Sequence, residues 1–214
     1  MNRKLMLLLV AMLLVRTAAL AQVVHRLPFA STGNAIELDI ANNSSVPVSD
    51  VQVKLTNAPA WLQFTQTEQT ISSVAAGEAQ LALFSFSVEK SAPVNQEYRL
   101  QFRLSTNGQN WTKEIAVVIS APKTFELFQN YPNPFNPTTT ISYQLPTAAH
   151  VTLKVFNLLG QEVATLVNGE QLAGYHQETM SARGLASGLY VYQLLAKSSD
   201  GSHEVSRRVM ALVK

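Results

Sequence analysis

Between residues 35 and 119 the chain repeatedly sets one apolar residue against one polar residue, the period of a strand that buries a single face. Ile36, Leu38 and Ile40 alternate with Glu37 and Asp39; Val51, Val53 and Leu55 with Gln52 and Lys54; Phe84, Phe86 and Val88 with Ser85 and Ser87. Tyr98, Leu100, Phe102 and Leu104 then alternate with Arg99, Gln101 and Arg103, and Ile115, Val117 and Ile119 close the series. Turn-forming clusters at residues 42–45, 75–77 and 106–110 separate these runs, and no helical period of comparable length interrupts them. Residues 22–120 therefore predict one β-sandwich.

The same logic returns after residue 138. Ile141, Tyr143 and Leu145 share a face, then Val151, Leu153 and Val155, then Val163 with Thr165 and Val167. Leu189 and Val191 oppose a second face of Tyr190, Tyr192 and Leu194, and Val205, Val209, Ala211 and Val213 form the last apolar row. Gly160 falls in a turn, and Gly184 and Gly188 flank another, where a positive φ costs glycine little. The expected fold is all-β: two Ig-like or fibronectin-III-like sandwiches in tandem, the second of seven strands over residues 128–214, joined by a Pro-containing linker at 121–127.

The second sandwich has an unusual lead-in. Pro132, Pro134 and Pro137 fix their own φ and push Tyr131, Asn133 and Asn136 out of the helical region. Phe125, Phe128, Tyr131 and Phe135 are too many rings for a solvated spacer, so the segment is expected to run rigid and extended with its rings laid against the domain.

At the other end, Asn2-Arg3-Lys4 precedes an apolar run from Leu5 to Val15, and Ala19 and Ala21 place small residues before Gln22. That is the pattern of a Sec signal peptide over residues 1–21, read by the Sec translocon and cut by signal peptidase. Eleven helical residues rise only about 16 Å, roughly half the hydrocarbon thickness, which argues against a membrane anchor. With no cysteine there is nothing to acylate, and no disulfide to staple either sandwich.

Loss of residues 1–21 removes Arg3, Lys4 and Arg16, leaving thirteen bases against fourteen acids and a net charge of −1. A chain without basic excess is not built for nucleic acid or for an anionic membrane surface. His25, His150, His176 and His203 are scattered without metal-ligand spacing, and no nucleophile elbow or phosphate-cradling loop occurs. Glu37 and Asp39 stand about 7 Å apart along one strand, but on what reads as a solvated face. The expectation is a non-catalytic protein with no metal or cofactor. Trp61, Trp111 and Tyr98 are candidates for an aromatic platform that would bind a polysaccharide; the competing reading places them in ordinary packing.

Four ordered motifs carry a family resemblance: Asn130-Tyr-Pro-Asn-Pro-Phe-Asn-Pro137, Val155-Phe-Asn-Leu-Leu-Gly-Gln-Glu-Val163, Gly184-Leu-Ala-Ser-Gly-Leu-Tyr-Val-Tyr192 and Arg207-Arg-Val-Met-Ala-Leu-Val-Lys214. Together they make residues 125–214 resemble the type A C-terminal sorting domain of type IX secretion cargo, an Ig-like module similar to that of flagellar hook-capping proteins. Residues 22–120 resemble bacterial Ig-like and adhesion modules only generically. The resemblance implies a Gram-negative, Bacteroidota-like host and a protein that ends extracellular or at the cell surface. It also implies recognition by an outer-membrane type IX translocon. A sortase-like peptidase would then cut near the linker and either release the passenger or attach it to surface lipopolysaccharide. Carried onto this sequence, the recognition residues are Gly184, Gly188, Arg207, Arg208, Val209, Met210, Leu212, Val213 and Lys214, with Tyr131, Pro132, Asn133, Pro134, Phe135, Asn136 and Pro137 as the lead-in motif. A terminal strand offers unpaired backbone groups, so strand addition along residues 207–214 is the expected recognition mode. The alternative is a structural, adhesive or carbohydrate-binding protein that keeps both domains, with a polysaccharide or protein as ligand.

Overall fold

The computed structural model describes residues 4–7, as backbone, and 23–214. The chain divides into two compact units, residues 1–120 and 121–214, and both are built of strands. The signal-peptide cleavage residues Ala19, Ala21 and Gln22 lie outside the described residues.

In the first unit β1 (Lys4–Leu7), β3 (Asn34–Ala41), β5 (Leu62–Phe64) and β7 (Ala79–Val88) form one sheet in the order β1-β3-β7-β5. The facing sheet is β2-β9-β8-β4-β6, made of β2 (Val24–Leu27), β4 (Val48–Asn57), β6 (Glu68–Val74), β8 (Glu97–Thr106) and β9 (Gln109–Ile119). Ile36, Leu38, Phe84 and Phe86 point inward from one sheet, and Val53, Leu100, Phe102 and Val117 from the other. The Phe84 and Phe102 rings meet across the gap at 5.0 Å. At the β3–β4 turn, the Asn42 side chain donates to the carbonyls of Val46 and Val74 and accepts from Ser44, so its burial leaves no polar atom stranded.

One expectation fails here. Glu37 is only 9% exposed, not solvated. Its register partner is Leu83, and that of Asp39 is Leu81, so the outer face of this sheet is less polar than the alternation along β3 alone implies.

The second unit packs β10-β11-β14 on β13-β12-β15-β16. Its strands are β10 (Glu126–Leu127), β11 (Thr138–Leu145), β12 (Ala149–Asn157), β13 (Glu162–Gln171), β14 (Gly174–Ser181), β15 (Gly188–Ser198) and β16 (His203–Leu212), all antiparallel in their pairings. The core is Leu127, Ile141, Tyr143, Leu145, Val151, Leu153, Val155, Tyr192, Leu194, Met210 and Leu212.

Two further corrections follow. Leu127, assigned by sequence to the linker, is buried in this core, because the last residues of 121–127 already pair with β11. The inward row of β16 is also the even one. Met210 and Leu212 are buried, while Val205, Val209 and Val213 are half-exposed on the outer face.

Candidate functional site

The four motifs of the second unit, far apart in sequence, meet at one end of its sandwich. The lead-in begins in one sheet at β10 and crosses to the other, where Phe135 bridges Leu212 in parallel. Asn130 anchors the crossing. Only 2% exposed, it donates from Nδ2 to the Pro132 carbonyl at 3.0 Å and to Thr139 Oγ1 at 2.9 Å. Its Oδ1 accepts from Gln129 at 2.7 Å, and its backbone N–H donates to the Tyr192 hydroxyl at 2.9 Å. The same hydroxyl donates to the Phe128 carbonyl at 2.8 Å. Burial pushes the Tyr192 phenol above its ordinary value, while the Asn130 N–H and the nearby Arg208 charge pull the other way.

Within the lead-in motif the residues do different things. Phe135 is buried, but the Tyr131 ring is 82% exposed; only the Tyr131 backbone engages the domain, exchanging two hydrogen bonds of 2.9 Å with Thr140. The rings therefore do not all lie against the domain. The segment also folds into a loop and does not run straight, with cis bonds at Tyr131-Pro132 and Asn133-Pro134. Pro134 and Asn136 are exposed, and the Pro137 carbonyl accepts from Ala182 N at 2.8 Å.

From this loop a strap runs along the outer edge of β16. Gln129 Nε2 donates to the Val209 carbonyl at 2.8 Å, and Asn133 Oδ1 accepts from Ala211 N at 2.9 Å. Phe135 N then donates to the Ala211 carbonyl, and Phe135 O accepts from Val213 N. Strand addition at residues 209–213 is thus blocked, contrary to the expectation for the terminal strand, because the protein's own lead-in already occupies that edge.

The remaining motifs complete this end. Asn157 Oδ1 accepts from the N–H groups of Leu159 and Gln161, which closes the β12–β13 hairpin and leaves Leu158 and Leu159 exposed at its tip. Asn157 is in register with Tyr190, and Tyr190 with Met210, so the tip lies at the same end as the terminus. Gly184 and Gly188 adopt φ of +88° and +153°, and Gly188 pairs with Leu212. Between them Ser187 Oγ accepts from Lys214 N at 3.2 Å. On the outer face, Phe156–Val191–Val209 and Leu189–Ala211 stand side by side, an apolar strip that ends at the polar row Lys154, Gln193 and Arg207. Arg207 Nε donates to Gln193 Oε1 at 2.6 Å. Arg208 points the other way, donating to the Leu127 carbonyl and so tying the two sheets together.

The aromatics of the first unit do not form one platform. Trp61 and Tyr98 pack edge to face at 4.8 Å against the core. Trp111 is opposite Leu104 while Tyr98 is opposite Val117, which sets them about 20 Å apart along the strands. Among the described residues, no group of three or more His, Cys, Asp or Glu gathers as a metal site. The sequence reading quoted Asn130 and Tyr192 within its motifs but gave neither a role, and it missed Gln129 and Thr139. The available signal was a short amide side chain set among prolines, a residue type suited to satisfying local backbone groups.

Residues 129–208 match the family described as the secretion system C-terminal sorting domain. No curated protein matches the chain. Solved structures similar to it include dimeric latent PorU from Porphyromonas gingivalis, at 12% identity and TM-score 0.35, covering 87% of this chain and 19% of that one. A protein of unknown function from Porphyromonas gingivalis W83 is similar at 12% identity and TM-score 0.36, covering 91% and 96%. CopC from Methylosinus trichosporium OB3b is similar at 15% identity and TM-score 0.31, covering 42% and 93%.

Proposed function

We propose that the second sandwich, whose residues 129–208 match the secretion system C-terminal sorting domain, is a type IX address that directs the chain to the cell surface or the medium, and that the first is a non-catalytic Ig-like passenger. In this reading Sec export and removal of residues 1–21 precede recognition by the outer-membrane translocon. A sortase-like peptidase then cuts near the linker, leaving a passenger that ends between residues 120 and 125, ahead of β10. The cleavage chemistry belongs to the peptidase, and the passenger is released or joined to surface lipopolysaccharide.

The observation that carries the reading is the convergence of all four motifs on one end of the second unit. Leu158, Leu159, Leu189, Val209 and Val213 are exposed there. Apolar groups gathered on a surface do nothing for the core and weaken solubility unless a partner covers them. Intact mass of the protein recovered from the surface and medium of its host tests the proposal. A species from Gln22 to residues 120–125 is expected. A surface species that still ends at Lys214 sinks the removable-address reading in favour of a structural or adhesive protein that keeps both sandwiches.

A further inference from the structure

Residues 120–128 are tied down at both ends and bare in the middle. Ser120 N donates to the Leu27 carbonyl at 2.9 Å, the last tie of the first unit. The second unit takes hold at Thr124, where Gln144 Nε2 donates to the Thr124 carbonyl at 3.2 Å and to its hydroxyl at 3.3 Å. Phe125 is half-buried. It packs on the core of the second unit and forms one wall of a shallow hollow of about 220 Å³ with Leu145, Pro146, Ala149 and Ala196. Glu126 and Leu127 then pair with β11, and Phe128 N donates to the Ser142 carbonyl. Between these ties the backbone of residues 121–123 makes no hydrogen bond among the described residues.

We propose that Lys123–Thr124 is the bond the linker offers to a peptidase that reads a cationic side chain ahead of the cut, and that Gln144 and Phe125 form a latch holding it shut in the folded chain. The proposal rests on the sorting reading for the peptidase and adds a regulation of the cut that reading requires. From Ser120 to Phe125, Lys123 and Thr124 are the only neighbours that are both exposed. Ser120 and Ala121 are half-buried and Pro122 is buried, which disfavours the bonds before Lys123. Lys123 is also the only charge in that stretch. A peptide bound in extended form is gripped largely through its backbone groups. On the amino side no hydrogen bond at 121–123 has to break. On the carboxyl side the Thr124 carbonyl is held by Gln144 and the chain beyond it by the seat of Phe125. Productive binding therefore needs residues 124 and 125 to lift off, and the cutting rate follows the population in which they are lifted. In the cut itself water adds across the bond. The Lys123 carbonyl carbon takes the hydroxyl and becomes the new carboxylate, while the Thr124 nitrogen takes the proton and leaves as the new amine.

Trypsin, which cuts after lysine and arginine, is the probe, applied to the purified mature chain under native conditions with each product identified by intact mass. Cutting after Lys90, exposed in the first unit, is the internal reference. Cutting after Arg183, exposed in a turn of the second, reports whether that unit as a whole has loosened. Wild type is expected to be cut slowly after Lys123. Phe125→Ala, which loses a half-buried ring, should be cut there about tenfold faster. Gln144→Glu keeps the shape of the side chain but loses the donor, and should be cut about threefold to tenfold faster. Rates after Lys90 and Arg183 should stay at wild type. Equal rates after Lys123 in all three proteins overturn the latch. If Phe125→Ala also speeds cutting after Arg183, Gln144→Glu decides, and a wild-type rate after Lys123 in that variant overturns the latch equally. In the host, the passenger recovered from the medium is expected to end at Lys123. A passenger that ends at another residue overturns the choice of bond and leaves the sorting reading standing. A chain that still ends at Lys214 overturns the sorting reading, and with it the choice of bond, even where the trypsin rates uphold the latch.

Discussion

Two buried tyrosines of the second unit, Tyr143 and Tyr192, are both fully buried, yet losing the hydroxyl should have opposite consequences. Tyr192 Oη accepts the Asn130 N–H and donates to the Phe128 carbonyl, so Tyr192→Phe strips the acceptor from an N–H in a residue that is 2% exposed. Leaving such a donor unsatisfied costs about 1–3 kcal/mol, and the lost bond to Phe128 adds about 1 kcal/mol, for a total near 3 kcal/mol. In a domain of this size that lowers Tm by about 12–24 °C. The Tyr143 hydroxyl, by contrast, makes no hydrogen bond among the described residues. Tyr143→Phe removes a desolvated polar group that has no partner, and the expected change lies between zero and about 1 kcal/mol of added stability. Scanning calorimetry on the mature chain measures both. The only two tryptophans, Trp61 and Trp111, belong to the first unit, so their fluorescence assigns that unit's transition and serves as an internal control. A Tyr192→Phe loss below about 0.5 kcal/mol, within the range of ordinary surface changes, would refute the role given to this hydroxyl as the pin of the lead-in. So would a Tyr143→Phe protein destabilised as much as Tyr192→Phe.

The remaining predictions concern backbone strain and pH. An added Cβ at Gly184 meets nothing within 4 Å, but φ is +88°, so Gly184→Ala should cost about 1–2 kcal/mol through the backbone alone; a urea midpoint equal to wild type contradicts this. Burial, and then the charge of Glu178, push the Tyr143 phenol well above its ordinary value. The folded state therefore keeps a proton that the unfolded state releases above about pH 10, so this contribution is intact below pH 10 and lost above it at up to about 1.4 kcal/mol per pH unit. Urea unfolding at pH 9 and pH 11 should show a shallower loss in Tyr143→Phe; an unchanged slope excludes Tyr143 as the source.

Much of the architecture was legible because the central strands bury one clean face. β3, β7, β8 and β12 announce themselves by alternation, and their inward rows are the residues that alternation selects. The strands that escaped notice are edges or short. β6 buries only Val74, and β14 buries only Gly174 and Met180, so neither carries a two-residue period strong enough to read. β16 failed differently. Both of its rows hold apolar residues, and the phase is decided by Met210 and Leu212 meeting the core, which a single strand's sequence does not specify. The site was legible as motifs but not as a mechanism of assembly. Gln129 and Asn130 act on Val209 and Tyr192, 80 and 62 residues away, and local spacing carries no trace of such pairings.

An amide side chain carries a donor and an acceptor spaced like those of a peptide group, which lets it finish a strand edge without adding a strand. Both units use this device. In the first, Gln69 of β6 reaches across to β7, donating to the Leu83 carbonyl at 2.7 Å and accepting from Leu83 N at 2.9 Å, beyond the point where β5 stops pairing. In the second, Gln129 and Asn133 do the same for Val209 and Ala211. Edge strands left bare invite pairing with other chains, and proteins ordinarily cover or charge them. The strap over residues 209–213 follows that pattern, closing with side-chain amides and one backbone pairing the part of β16 where Val209 and Val213 leave apolar side chains exposed.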